Sequence, residues 1–295
     1  MRAPIDPLPT SMTPRPHADP HRHPVAIVTG GSSGIGELTA RDLRARGWEV
    51  YAAARRVDRM APLAEVGIRP AALDVTDDAS MTALVDLVVA EQGRIDLLVN
   101  NAGYGAFGAV ETVPMADARA QFEVNVFGLA RMTQLVLPQM RRFRRGRIIN
   151  VSSIAGQVSE PFGGWYHASK HAVEGLTDCL RQEVRGFGVE VVLVEPGPVQ
   201  TDWNPIAAAS LENASRGTAY EKPARATRRA LRVMNSPVVA VRPEAVADVI
   251  VTAATERDPR PRYVVGRGAR ALLTANRLLP TRVTDAITAL MFPSR

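Results

Sequence analysis

The chain has 295 residues, 46% of them hydrophobic, which supports a substantial core in one large domain or two small ones. A net charge of +6 invites a nucleic-acid reading, but the bases are scattered and aromatics are only 5%, so there is no stacking platform and no known binding module. One cysteine excludes a disulfide framework and fits a reducing compartment, and no apolar run reaches the length of a membrane span.

Residues 1–23 are rich in Pro and His and read as a disordered tail, in which His17, His21 and His23 are expected to be solvated and Met12 is an alternative start. From Pro24 the pattern becomes regular. Val25 to Val28 is an apolar run expected of a parallel strand buried on both faces. It enters Thr29-Gly30-Gly31-Ser32-Ser33-Gly34-Ile35-Gly36 and then a helix to about Arg46. A strand, a glycine-rich turn and a helix N-terminus form an anion site, where the backbone approaches a pyrophosphate and free N–H groups meet it. Ser32 and Ser33 add hydroxyls.

The second strand, Glu49 to Ala54, offers no carboxylate at its end, where an acidic residue would take the ribose hydroxyls of NAD. Arg55 and Arg56 follow instead and suit a 2′-phosphate, so NADP is preferred, with NAD as the alternative. Pro70 to Val75 reads as a strand that brings Asp74 to the ligand edge. Ile95 to Gly103 is the next, with small residues after Asn101 that let the chain pass close to a flat cofactor. Strands alternating with helices imply a doubly wound parallel sheet with ligands at its carboxyl edge. A long helix over Met115 to Met140 carries Asn125, which needs its amide satisfied and suits either a core hydrogen bond or a catalytic role. The arginines at 141, 142, 144, 145 and 147 read as a solvated helix end.

Arg147 to Val151 is a strand that ends at Ser152-Ser153, and thirteen residues after Ser153 comes Tyr166. The surrounding pattern is helical, so Tyr166 and Lys170 share a face one turn apart. A phenol with a pKa of about 10 is a poor acid or base at neutrality, and a neighbouring ammonium is expected to lower that value. Lysine occurs only at 170 and 222 in this arginine-rich chain, which argues that a compact ammonium is needed there. Cys179, later in the same helix, is expected to be a buried structural thiol. Val189 to Val194 is the sixth strand and stops at the turn Glu195-Pro196-Gly197-Pro198-Val199-Gln200-Thr201.

Thr29-Gly-x-x-x-Gly-x-Gly36, Asn100-Asn-Ala-Gly103, Asn125, Ser153, Tyr166-x-x-x-Lys170 and Pro196-Gly197, in this order, resemble the one-domain short-chain dehydrogenases/reductases over residues 24–202. The run through Tyr104-Gly105 and the Glu195-Pro-Gly-Pro turn are similar to the 17β-hydroxysteroid dehydrogenase-like and retinol dehydrogenase-like branch. The resemblance implies a Rossmann-like α/β fold of about seven strands over 24–295 and an oxidoreductase interconverting a carbonyl and an alcohol. By it, Tyr166 exchanges a proton with the substrate oxygen, Ser153 holds that oxygen, Lys170 binds the nicotinamide ribose and Asn125 holds a relay water. Gly30, Ser32, Ser33, Gly34, Ile35, Gly36, Arg55, Arg56, Asp74, Val75, Asn101, Ala102, Gly103, Tyr166, Lys170, Pro196, Gly197, Val199 and Thr201 would line the cofactor, which supplies the hydride without a metal.

Residues 202–236 read as a substrate lid of helical pieces, and Phe107, Phe162, Trp165 and Trp203 are candidates for an apolar pocket wall. Pro243 to Arg257 is a helix and Arg262 to Val265 a seventh strand. The helical extension 266–295 completes the pocket, docks on a second subunit or lies on a membrane surface. The expected partners are a small, apolar carbonyl or alcohol and further copies of the chain in a homodimer or homotetramer, in the cytoplasm. Two other readings compete. A silent NADP-binding sensor typically loses Tyr or Lys from the pair, and an epimerase or dehydratase of the extended branch spaces its glycines differently.

Overall fold

The computed structural model describes residues 23–201 and 203–292. The expected tail, with Met12, His17 and His21, lies outside the described residues except for His23. Seven strands, β1 (Val25–Thr29), β2 (Glu49–Ala54), β3 (Arg69–Ala72), β4 (Leu97–Asn100), β5 (Gly146–Val151), β6 (Val189–Pro196) and β7 (Arg262–Val265), form a parallel sheet in the order 3-2-1-4-5-6-7. The helices between and after them are α1 (Gly34–Ala45), α2 (Ala61–Ala64), α3 (Asp78–Gln92), α4 (Met115–Phe122), α5 (Leu129–Phe143), α6 (Gly164–Val184), α7 (Trp203–Ser215), α8 (Glu221–Met234), α9 (Pro243–Thr255), α10 (Ala269–Leu278) and α11 (Thr281–Met291).

Strand alternation divides the core into two layers. Ala26 and Val28 of β1 pack with Ala40 and Leu43 of α1 and Val246 and Ile250 of α9. Val25 and Ile27 face the other way, onto Leu84 and Val88 of α3 and Met132 and Val136 of α5. Both faces are covered, which is why the strands read as continuous apolar runs. Each buried Val, Leu, Ile or Met side chain among them contributes roughly 1.5–3 kcal/mol.

Several boundaries depart from the sequence pattern, each for a local reason. β3 stops at Ala72 rather than Val75, and Asp74 then folds its carboxylate onto the Thr76 N–H (2.9 Å) and hydroxyl (2.7 Å) in a turn. β4 starts at Leu97 rather than Ile95, and the Asp96 carboxylate accepts the Val25 N–H at 2.9 Å just before it. The helix expected over 115–140 is interrupted: a π-helical segment, Glu123–Gly128, separates α4 from α5. The arginine run is not simply solvated. Arg147 bonds the carbonyls of Ala253 (2.6 Å) and Glu256 (2.9 Å) and pairs with Glu190, tying β5 to α9, while Arg144 donates to Gly186 O at 3.0 Å.

Candidate active site

Strand order reverses between β1 and β4, so their following loops diverge and open a crevice at the carboxyl edge. Thr29 pins the two sides together: its Oγ1 accepts the N–H groups of Asn101 and Ala102, each at 3.0 Å. The Asn101 amide donates to Thr29 O at 3.0 Å and Gly30 O at 3.4 Å, so this side chain braces the glycine loop. Close approach explains two glycines. A Cβ on Gly36 would lie 2.3 Å from Gly30 O, and Gly30 itself has φ +68°. α1 then begins from Ser33, extended at φ −171° and making no side-chain cap hydrogen bond, which leaves the first-turn N–H groups to a ligand.

Facing this turn, Thr201 Cγ2 comes within 3.7 Å of where a Cβ on Gly34 would stand. Ser153 Oγ donates to Pro196 O at 3.2 Å and Gly197 N–H donates to Val265 O at 2.7 Å, fixing the turn that ends at Thr201. Val199 bridges to Val241, and Val75 packs against Gly128, where a Cβ would meet Val75 O at 2.4 Å. Ser32 and Ile35 are half-buried, while Arg55 and Arg56 are exposed at the end of β2. The Thr76 hydrogen bonds hold the Asp74 carboxyl below the usual carboxylate range, and Arg55 adds to the effect. An uncapped helix end, a glycine turn closed to any side chain and two exposed guanidiniums fit a dinucleotide phosphate backbone.

α6 carries the acid–base candidates. Tyr166 and Lys170 are both buried, with Lys170 Nζ 5.9 Å from the Tyr166 ring centroid, and Nζ donates to Val151 O at 3.0 Å. The ammonium therefore spends a proton on the end of β5 rather than on the phenol. The expected lowering of the phenol pKa is not what the surroundings produce. Burial pushes Tyr166 up to about 12, and its side-chain hydrogen bond with Ser153 offsets only part of this. Burial also pulls Lys170 down to about 8, against a smaller opposing pull from Glu174. The phenol is thus set to hold its proton at neutrality and to give it up only to a group that becomes strongly basic.

Around Tyr166 stands an apolar wall. Phe107 lies 6.0 Å and Trp203 5.0 Å from its ring, and Phe107 meets Trp203 edge-on at 5.6 Å. Phe162, held at φ +66°, packs on this cluster and meets Tyr220 at 6.3 Å. α7 and α8 close over it through Ala207, Leu211, Ala224 and Leu231. Gly105 makes room for the indole, since a Cβ there would be 2.2 Å from Trp203 Cζ2. Trp165 does not join. One residue earlier on α6, it points about 100° away and packs edge-on against Phe122 at 6.4 Å.

The short chain dehydrogenase family model matches residues 24–210. The chain belongs to the short-chain dehydrogenase/reductase family. It is 35% identical to a probable short-chain type dehydrogenase/reductase, VdlC, of Helicobacter pylori, over 92% of this chain and 98% of that one. It is 34% identical to an NADPH-dependent 3-dehydrocapnine reductase of Ornithobacterium rhinotracheale (89% and 95% covered) and 33% identical to 17-beta-hydroxysteroid dehydrogenase type 6 of Rattus norvegicus (90% and 87%). Among solved structures, a short-chain dehydrogenase from Streptomyces avermitilis superposes with a TM-score of 0.75 at 32% identity, covering 92% of this chain and 95% of that one. A Burkholderia phymatum short-chain dehydrogenase/reductase in complex with NAD gives 0.75 at 29% identity (92% and 96%), and a metagenomic short-chain oxidoreductase in complex with NADP gives 0.64 at 29% (82% and 96%).

In this short-chain dehydrogenase/reductase, an oxidoreductase acting on CH–OH groups, the amide of Asn125 finds the partners that its place in an apolar helical run requires, whereas the ion pairs of Arg262 escaped the sequence reading. Asn125, in the π-helical segment, accepts the Tyr104 N–H (3.0 Å) and donates to Tyr104 O (2.9 Å) and Ser169 Oγ (3.1 Å). Its Oδ1 and Lys170 Nζ both border the space beside Gly103. Behind Lys170 lies a half-buried charge cluster: Arg262 pairs with the buried Glu174, with Asp178 (2.6 Å) and with the buried Glu195 (2.5 Å), whose other oxygen takes Gln157 Nε2 at 2.7 Å. Burial beside Glu174 pushes the Glu195 carboxyl up to about 7, Arg262 notwithstanding. Cys179 is exposed, contrary to expectation, because Val173, Thr177 and Val184 set the inner face of α6 and Cys179 falls on the other. Among the described residues, no group of three or more metal-ligating side chains comes together, and no helix is long and apolar enough to cross a membrane.

Proposed function

We propose that the protein is an NADP-preferring reductase that converts an apolar ketone or aldehyde to the alcohol, with Tyr166 as the proton donor. The observation that carries this reading is the buried phenol, set beside Ser153 and Lys170 at the carboxyl edge and walled by aromatic rings. Bound NADPH supplies the hydride. Tyr166 gives its proton to the carbonyl oxygen as charge develops there, and Ser153 holds the same oxygen by its hydroxyl. Lys170, anchored on Val151 O, keeps a positive charge near the phenol as the proton leaves and holds ribose hydroxyls. Asn125 fixes the Tyr104 loop, and Oδ1 has a lone pair for a relay water beside Gly103. Arg55 and Arg56 take the 2′-phosphate, and Asp74 keeps one carboxylate oxygen for adenine.

The aromatic wall, and the relatives named for 3-dehydrocapnine and a hydroxysteroid, favour a long or polycyclic apolar substrate admitted by movement of the 202–236 lid. We assign residues 24–295 to one domain. The exposed Ala168, Leu176 and Cys179 on α6 suit contact with a second copy, in a homodimer or homotetramer in the cytoplasm. Oxidation of NADPH and NADH, followed with a panel of long-chain and steroid ketones, tests the proposal. Turnover with NADPH at least about tenfold more efficient than with NADH is expected. Equal use of NADH would refute the phosphate assignment, and cofactor binding without turnover of any ketone would favour the sensor.

A further inference from the structure

The last two helices turn their apolar residues outward. On α11, Val283, Ile287 and Leu290 fall at i, i+4 and i+7 and stand exposed, Leu290 at 84%, while Thr284 and Thr288 are the half-buried residues. α10 and its end add Leu272, Leu278 at 75% and Leu279. An ordinary surface helix has the reverse arrangement. Phe292, by contrast, at the end of α11, is buried. Beside the apolar stripe, Arg267, Arg270, Arg277 and Arg282 are exposed, against Asp285 as the one acid of residues 266–291.

The helix pair is also placed next to the site. Ala269 lies close to Gly197, and Asn276 Nδ2 donates to Gln157 O at 2.8 Å, in the segment that follows Ser153. We propose that α10 and α11 form a docking face for an anionic lipid surface, with the leucine and isoleucine side chains in the acyl boundary and the arginines among the headgroups. Charge decides between this occupant and a second copy of the chain. A two-fold contact would set four arginines against the same four, with only one carboxylate from each copy to offset them, whereas an anionic headgroup layer is complementary. The inference rests on this surface alone and not on the substrate class or cofactor preference proposed above.

The test is sedimentation of the full chain with phosphatidylcholine vesicles, with and without phosphatidylglycerol. The wild type is expected to pellet with the anionic vesicles and to be released by added salt. Ile287→Glu with Leu290→Glu should weaken binding about tenfold or more, and so should Arg270→Gln with Arg277→Gln and Arg282→Gln, with thermal unfolding unchanged because all five positions are exposed. Failure of the wild type to pellet with anionic vesicles, or binding by either variant equal to the wild type's, would overturn the proposal. So would an oligomer in sedimentation velocity that the Ile287→Glu/Leu290→Glu variant dissolves.

Discussion

Tyr166 and Lys170 are a pair whose positions follow from spacing and whose energetics do not. A residue four places along a helix is a neighbour whatever the rest of the chain does, so the shared face was legible. Burial by Phe107 and Trp203, far away in sequence, then pushes the phenol to about 12, which spacing alone did not reveal. A testable consequence lies in the pH dependence of reduction. Tyr166 keeps its proton throughout the neutral range, so the group that titrates is Lys170, pulled down to about 8 by burial. It is charged below that value and neutral above it. Reductive kcat/KM should therefore be level below about pH 8 and fall above it, and Lys170→Met should lose the falling limb along with roughly 10²-fold of the rate. A wild-type profile that stays level to pH 10 would separate turnover from the charge on Lys170.

At the scale of elements, the glycine turn and α1 were legible because strand, glycine spacing and helix follow one another directly. The π-helical segment was not, because one extra residue per turn shifts the period without any change of composition. Its effect is specific: it carries Asn125, whose amide joins Tyr104 and Ser169. The lid was legible as helical pieces, but not its latch. Trp203 packs on Tyr166 and over Gly105, and Ser210 Oγ both donates to Phe107 O (3.0 Å) and accepts Phe107 N–H (3.1 Å). Trp203→Ala should lower the opening free energy of α7 and α8 by about 1–3 kcal/mol, read as faster amide exchange there with β1 and β6 unaffected. Unchanged exchange in both helices would show that the indole does not hold them.

The whole sheet was legible from buried apolar runs punctuated by turns and alternating with helical stretches. Long-range polar ties were not, since nothing local pairs residue 262 with residues 174, 178 and 195. That cluster joins β6, β7 and α6 behind the site, and it makes stability depend on pH. The Glu195 carboxyl is raised from 4.5 to about 7, so the folded chain holds a proton that the unfolded chain releases. Its contribution to stability is complete below about pH 4.5 and is lost as the pH rises through about 7. Glu195→Gln should reduce the fall in Tm between pH 5 and 8 compared with the wild type, as measured by thermal unfolding across that range. A steeper fall in the variant would mean that the ionised carboxylate is the form that the fold prefers.

The most direct measurement is turnover of Tyr166→Phe with NADPH and a ketone that the wild type reduces, alongside calorimetric binding of NADPH. The ring that packs against Phe107 and Trp203 is retained and only the hydroxyl is lost. Reduction slowed by about 10³-fold or more, with NADPH affinity changed by less than about threefold, is the predicted result. Reduction at more than a tenth of the wild-type rate would contradict it and move proton donation to another group.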